Sequence, residues 1–412
     1  MARLLKQEAG RRPPASLHNY CAGSHRAATV QVRSPPQVAP PRGKRQSVLF
    51  SVSPNPESAR VPSPQSPAPA MKIGIVGYQS SGKSTFFEWL TGVAADPALA
   101  HASQSASTPV PDDRVEPLCK IYSPKKITLA SLELVDTPGL SRTHEGNAAR
   151  LAHIKEAGCL VLVVAAFGGN DAAADIRRFD EDFLLADMEV VSRRIEKLRE
   201  QIKKPRPNRD QDIAELAALE PLLASLEAGK TVHESGLNEE QLKATRSFQL
   251  LTEKPRLVVV NLADDDTDAA RFEKLSTDKC RVVAVPVGLQ RELSRMEPAE
   301  RAEFEAEMNL VGLDRAALLR LIMDVSGQMI YFTAGEKEVR TWMLRQGGTA
   351  LEAADNIHSD LARGFIRAEV MTVDDLVRLG SEREIKAHNL LRQEPKDYVV
   401  RDGDILHVRF SV

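Results

Sequence analysis

MKIGIVGYQSSGKSTFFEWL, Met71 to Leu90, sets an apolar strand-like run, KIGIV, against a helical run, TFFEWL, with a glycine and serine loop between them. Strand, loop and helix in that order form the setting in which G-x-x-x-x-G-K-[ST] binds phosphate. Gly77 and Gly82 let the chain turn tightly, so that successive N–H groups across Ser80, Ser81, Gly82, Lys83, Ser84 and Thr85 converge on an anion, and the helix N-terminus adds its dipole. Lys83 would neutralise the β- and γ-phosphates, and the Ser84 hydroxyl would meet Mg²⁺. A chance glycine-serine turn would lack the strand and helix on either side.

Working outward, LELVDTPGL ends a second apolar strand at Asp136 and continues to Gly139. In phosphate-loop proteins a carboxylate at this place holds Mg²⁺ through water, and the glycine amide senses the γ-phosphate. Lys83, Asp136 and Gly139 are therefore the expected catalytic set, and Ser84 with Asp136 the expected metal set. Leu140 stands where many GTPases carry a water-orienting glutamine, and leucine has no hydrogen-bonding group. His144, in SRTHEGN, is the nearest titratable alternative, set against a plain loop histidine.

A third run, RLVVV, ends in NLAD, Asn261 to Asp264, where a base-reading loop is expected. Asn261 can hold the loop and reach a purine edge, and Leu262 stands where a lysine stem would cover the base. Asp264 can accept from guanine N1–H and N2–H₂, so chemistry alone leans toward GTP. A strand-end cap in a polar loop is the structural alternative.

The chain has 412 residues, and the rest of it is uneven. Residues 1–70 hold twelve of the 25 prolines and ten Lys or Arg against Glu8 and Glu57, so this segment stands at +8 while the whole chain carries −2. Such composition cannot offset its ordering entropy, and a disordered tail is expected, with a transit peptide or an extension before Met71 as alternatives. The acidic remainder argues against broad nucleic-acid binding but allows a local basic face to dock on RNA. Cys21, Cys119, Cys159 and Cys280 lack paired spacing, so neither zinc nor a disulfide framework is expected. No apolar run reaches the roughly 20 residues of a membrane span.

Short Val- and Ile-rich strands alternating with helices predict an α/β domain: a parallel sheet with helices on both faces. Met188, Val191, Ile195, Leu198 and Ile202 recur at helical spacing, followed beyond KKPRPN by Ile213, Leu216, Leu223 and Leu226. A narrow apolar seam between charged flanks predicts an antiparallel helical arm over residues 186–250, inserted between two parts of the phosphate-loop domain, 71–185 and 251–328. Residues 329–412 read as a compact α+β module of short strands around one helix.

From Met71 onward the chain resembles the Obg-like ATPase family of YchF type. The motifs that carry the likeness are the phosphate loop, PVPDDR, DTPGL, LLADMEVVSRRIEKL and, above all, YFTAGEKEVRTWMLRQGGTALEAADNIH with KDYVVRDGDILHVRFSV at the C-terminus. The resemblance implies a C-terminal β-grasp TGS domain and a cytoplasmic, Mg²⁺-dependent ATPase, a switch that binds the ribosome or its RNA; a monomer is favoured. Departures imply a diverged member of low turnover. Ser80 stands where the family has an asparagine, Asp264 where it has glutamate, and Pro286, Val287 and Gly288 where it has S-A-K. Thr108 is out of register with the switch threonine, and FGGNDAAADI lacks the family's loop histidine. A nucleotide-regulated adaptor with little hydrolysis and a GTPase of ordinary specificity are the rival expectations.

Overall fold

The computed structural model describes residues 71–96, 98, 102–143, 146–277, 280–307 and 313–411. The expected tail and His144 lie outside the described residues. Seven strands precede the C-terminal module: β1 (Lys72–Val76), β2 (Gln104–Pro109), β3 (Ile127–Thr128), β4 (Ser131–Asp136), β5 (Cys159–Ala165), β6 (Arg256–Asn261) and β7 (Cys280–Val285). Six of them form one sheet in the order β2-β4-β1-β5-β6-β7.

From β4 to β7 the pairing is parallel, but β2 runs antiparallel to β4, with Gln104 opposite Asp136 and Thr108 opposite Leu132. The expected parallel sheet is found in β4, β1, β5, β6 and β7, and β2 adds an antiparallel strand at its edge. QSASTP buries only Thr108 fully, so this edge strand lacks the apolar run that marks its neighbours. Along β1 and β5 the side chains alternate between two cores. Ile73, Ile75, Val161 and Val163 face helix α1 (Lys83–Thr91) through Phe86, Phe87 and Leu90. Val76, Leu160, Leu162 and Val164 face the other way, against helices α2 (Asn147–Lys155) and α3 (Ala172–Ile202).

Helix α3 does two jobs. Its first half packs Phe179 and Phe183 on the sheet, while its second half pairs with α4 (Arg209–Glu227) around Val191, Ile195, Leu198, Leu219, Leu222 and Leu226. The boundary expected at 185/186 therefore falls inside one uninterrupted helix of 31 residues. Of the expected seam, Ile213 is 41% exposed and lies off the contact. Across the pair Arg194 donates to both oxygens of Glu215, at 2.7 and 2.6 Å. At its base the fully buried Asp187 accepts from the amides of Leu251 and Thr252, each at 2.8 Å, so the chain re-enters the sheet at a fixed point. Burial raises the Asp187 carboxyl above its ordinary range against the pull of those hydrogen bonds.

The C-terminal strands β8 (Gln328–Ala334), β9 (Val339–Arg345), β10 (Phe365–Thr372), β11 (Arg392–Glu394) and β12 (Asp404–Phe410) form a sheet ordered β11-β10-β12-β8-β9-β3. Where one helix was expected, four are described, Ala350–Ile357, Ser359–Arg363, Val373–Leu379 and Glu382–Ala387; the first opens on a capping box between Thr349 and Glu352 and packs Ala350 and Ala353 against Tyr331, Trp342 and Val370. Strand β3, from the phosphate-loop part of the chain, completes this sheet by pairing parallel with β9. A two-residue strand is below what sequence periodicity can register.

Candidate functional site

The loop between β1 and α1 closes on itself and on three neighbours. Gly82 has φ 93°, and a Cβ there would lie 2.2 Å from Nδ2 of Asn261. A Cβ on Gly77 would lie 2.3 Å from the Val163 carbonyl oxygen. These close approaches require glycine. Ser80, exposed, takes φ 63°, and Ser81 is buried with its hydroxyl unpartnered among the described residues. Thr85 lies in the first turn of α1.

Lys83 is 7% exposed and its Nζ donates to the Tyr78 carbonyl at 3.2 Å. Burial lowers its affinity for a proton, and Asp136 acts against that shift. Ser84 Oγ donates to Asp136 Oδ2 at 2.8 Å, while Asp136 Oδ1 is buried without a partner among the described residues. Burial pushes the Asp136 carboxyl up, opposed by Ser84 and Lys83. An ammonium, a hydroxyl and an unsatisfied carboxylate oxygen thus line one cavity of about 400 Å³, with Gln79, Gly139 and Arg150 on its wall. This donor set fits a hydrated Mg²⁺ shared with phosphate oxygens, because such sites take one or two protein oxygens and leave the remaining positions to water and phosphate.

The segment after Asp136 is sewn to the loop. Gln79 N–H donates to the Leu140 carbonyl and Leu140 N–H to the Gly77 carbonyl, each at 3.0 Å. A Cβ on Gly139 would lie 2.8 Å from Lys83 Nζ, so the glycine leaves room for the ammonium. Leu140 itself is fully buried in the second core and does not line this cavity. Thr108 is also fully buried, donating to the Leu90 carbonyl at 2.9 Å and accepting from Arg315, which removes it as a metal ligand.

Asn261 clasps two loops: its Nδ2 donates to the Ser81 carbonyl at 3.2 Å and its Oδ1 accepts from Val287 N–H at 3.1 Å. Leu262, expected among the nucleotide-binding residues, has its side chain 3% exposed and packed in the second core. β6 continues its inward alternation through this residue, and the apolar pattern outweighs the analogy with lysine. Asp264 is exposed, and its Oδ1 accepts from Leu289 N–H at 2.9 Å.

Sequence reading missed the link from this site to α3. Tyr78 donates its hydroxyl to the buried Asp182 at 3.1 Å, and Arg142 donates to the buried Asp175 at 2.6 Å while lying over the Tyr78 ring. The signal was present: Ala172, Asp175, Phe179, Asp182 and Phe183 share one helical stripe, and acids on an apolar stripe need partners.

Two family models match the chain. YchF-GTPase_C, described as a protein of unknown function, covers residues 329–411, and MMR_HSR1, described as a 50S ribosome-binding GTPase, covers 72–206. The ribosome-binding ATPase YchF of Bacillus subtilis is 33% identical over 371 residues, spanning 83% of this chain and 100% of the relative. Obg-like ATPase 1 of Oryza sativa subsp. japonica is 34% identical over 83% of this chain and 92% of its own. The solved YchF GTPase of Schizosaccharomyces pombe superposes with a TM-score of 0.72 at 25% identity, covering 84% of this chain and 100% of that one.

Proposed function

As the chain belongs to the YchF and Obg-like ATPase family, we propose that it is a Mg²⁺-dependent purine nucleoside triphosphatase acting as a ribosome-associated switch, with ATP preferred over GTP. The observation that carries this reading is the cavity in which Lys83, Ser84, Asp136 and Gly139 converge. The amides from Ser80 to Thr85 hold the β- and γ-phosphates, Lys83 spreads the charge that develops on the bridging oxygen, and the Gly139 amide holds a γ-phosphate oxygen. Mg²⁺, when bound at Ser84 and Asp136, supplies charge neutralisation across the two phosphates.

Two details favour ATP. Asn261 spends one amide hydrogen and one lone pair of its oxygen on backbone, and Asp264 has one oxygen engaged by Leu289 N–H. The oxygen bonded to Leu289 N–H keeps a second lone pair but is held in one orientation, which constrains the two-point approach that guanine N1–H and N2–H₂ need, whereas adenine N6–H needs one acceptor.

The arm and the C-terminal domain form the surface for the ribosome or its RNA in this reading. The same reading makes the protein a cytoplasmic monomer. Among the described residues no helix is long and apolar enough to cross a membrane. A second reading, a nucleotide-regulated adaptor with little hydrolysis, is favoured by the burial of Leu140. Calorimetric titration of Mg-ATP and Mg-GTP into the full chain and into Lys83→Ala tests the first reading, and single-turnover hydrolysis with and without ribosomes separates it from the second. Undiminished affinity of Lys83→Ala for both nucleotides would end both.

A further inference from the structure

With Leu140 buried in the core, the segment after Gly139 brings no polar side chain from that position to the γ-phosphate end of the cavity. Two carboxamides line the same cavity, those of Gln79 and Gln104. Gln104 is already committed to the loop beside it, accepting from Asp96 N–H at 2.8 Å and donating to the Ala94 carbonyl at 3.1 Å. The Gln79 side chain is exposed to the cavity, and its carboxamide has no hydrogen-bond partner among the described residues.

The Gln79 main chain, in contrast, is fixed by its hydrogen bond to the Leu140 carbonyl at 3.0 Å. A Cβ built on Gly139 would lie 3.2 Å from Gln79 Cα and 2.8 Å from Lys83 Nζ. The glutamine side chain therefore starts beside the glycine amide and the ammonium that meet the γ-phosphate.

We propose that Gln79 is the catalytic residue that aligns the attacking water, the task a glutamine at position 140 would otherwise perform. The proposal rests on the nucleotide-hydrolysis reading above. A carboxamide suits it, because its oxygen accepts from water while its NH₂ donates to a γ-phosphate oxygen. In the step, the water oxygen forms a bond to the γ-phosphorus. The bond from that phosphorus to the bridging oxygen breaks, and its electron pair leaves with the diphosphate. The proton of water passes to a γ-phosphate oxygen, so inorganic phosphate and nucleoside diphosphate result, and Gln79 stays neutral throughout.

The test compares the full chain with Gln79→Ala and Gln79→Glu by Mg-ATP titration, by single-turnover hydrolysis with and without ribosomes, and by capture of Mg-ADP with aluminium fluoride. Gln79→Ala is expected to bind Mg-ATP within about twofold of the parent and Gln79→Glu more weakly, because its carboxylate faces the γ-phosphate; both are expected to hydrolyse it about 100-fold more slowly and to lose the fluoride-trapped complex. Hydrolysis by Gln79→Ala at the parental rate overturns the assignment and leaves the nucleotide reading standing. Equal losses of affinity and rate in Gln79→Ala overturn it as well, because they mark a structural role. A parent that binds no nucleotide, or binds without hydrolysis in either condition, overturns the reading beneath it and the assignment together.

Discussion

Arg142, two residues beyond Leu140, grips the carboxylate of Asp175 on α3, donating through Nη2 at 2.6 Å and through Nε at 3.2 Å. The same helix receives the Tyr78 hydroxyl at Asp182, so the phosphate loop and the segment that follows Gly139 are both held by a helix whose other half is the arm. On the proposed reading, a nucleotide contact at Gly139 would be linked to the arm through one continuous helix.

Removing Arg142 tests this connection. Arg142→Ala leaves Asp175, whose side chain is 4% exposed, with only Arg178 at 3.6 Å among the ion pairs described. Arg142 is itself 35% exposed, so the expected loss is about 1–2 kcal/mol rather than the larger cost of breaking a fully buried pair. Chemical denaturation measures it. Hydrogen exchange gives the functional counterpart: protection that Mg-nucleotide confers on 186–202 in the parent is expected to vanish in the variant, and its persistence would show that the arm is coupled by another route.

Asp136 should be a site where function costs stability. Burial raises its carboxyl above the unfolded value of 3.8, so between that value and the raised one the folded chain holds the extra proton. Stability therefore falls as pH rises through the window and stays reduced at neutral pH. Asp136→Asn removes this penalty and can still accept from Ser84. The nucleotide-free variant is expected to melt about 2 °C higher at pH 7, with the advantage lost below pH 3.8, while Mg-nucleotide affinity drops at least about tenfold. A variant that melts lower than the parent at pH 7 would mean that the carboxylate contributes more through its hydrogen bond than it costs through burial.

How far the sequence disclosed this molecule depends on the length of each signal. KIGIV, CLVLVVA and RLVVVN have unbroken apolar interiors because both faces of β1, β5 and β6 are covered, and the phosphate loop is legible because its glycines answer to backbone geometry. Strand β2 was not legible, since an edge strand with alternating Ser and Ala buries little. Nor was the inward turn of Leu140 and Leu262: a motif assigns a residue to a position, whereas the neighbouring core decides which way an apolar side chain points. Arg142 and Tyr78 escaped notice because their partners on α3 lie 33 and 104 residues further along the chain, and side-chain pairing over such separations leaves no periodic trace.

PVPDDR, too, has a structural reason that its sequence alone conceals. Arg114 donates to both oxygens of Asp112, at 2.7 and 2.9 Å, and reaches Asp402 of the RDGD turn at 2.5 Å, with its guanidinium over the Phe332 ring. Asp402 in turn accepts from Ile330 N–H at 3.0 Å. Arg114→Ala is expected to cost about 1 kcal/mol, as the pair is partly exposed, and to accelerate hydrogen exchange at Ile330 and Gly403 ahead of the rest of the sheet. Uniform acceleration across β8 and β12 would instead indicate general destabilisation without a specific clasp.

The base specificity should follow from what Asp264 can still do once Leu289 N–H has taken one of its oxygens. Gly288 belongs to this arrangement, because a Cβ there would lie 2.8 Å from that same oxygen. With the carboxylate partly engaged, Mg-ATP is expected to bind more tightly than Mg-GTP by about tenfold, or about 1.4 kcal/mol. Asp264→Asn sharpens the comparison: its carbonyl can keep the bond to Leu289 N–H while its NH₂ faces the acceptor at adenine N1 and repels guanine N1–H. ATP affinity is expected to hold within about twofold and GTP affinity to fall about tenfold further. Should the parent bind GTP more tightly than ATP, and Asp264→Asn reverse that order, the carboxylate reads guanine with both oxygens despite its backbone bond, and the preference for ATP proposed here is wrong.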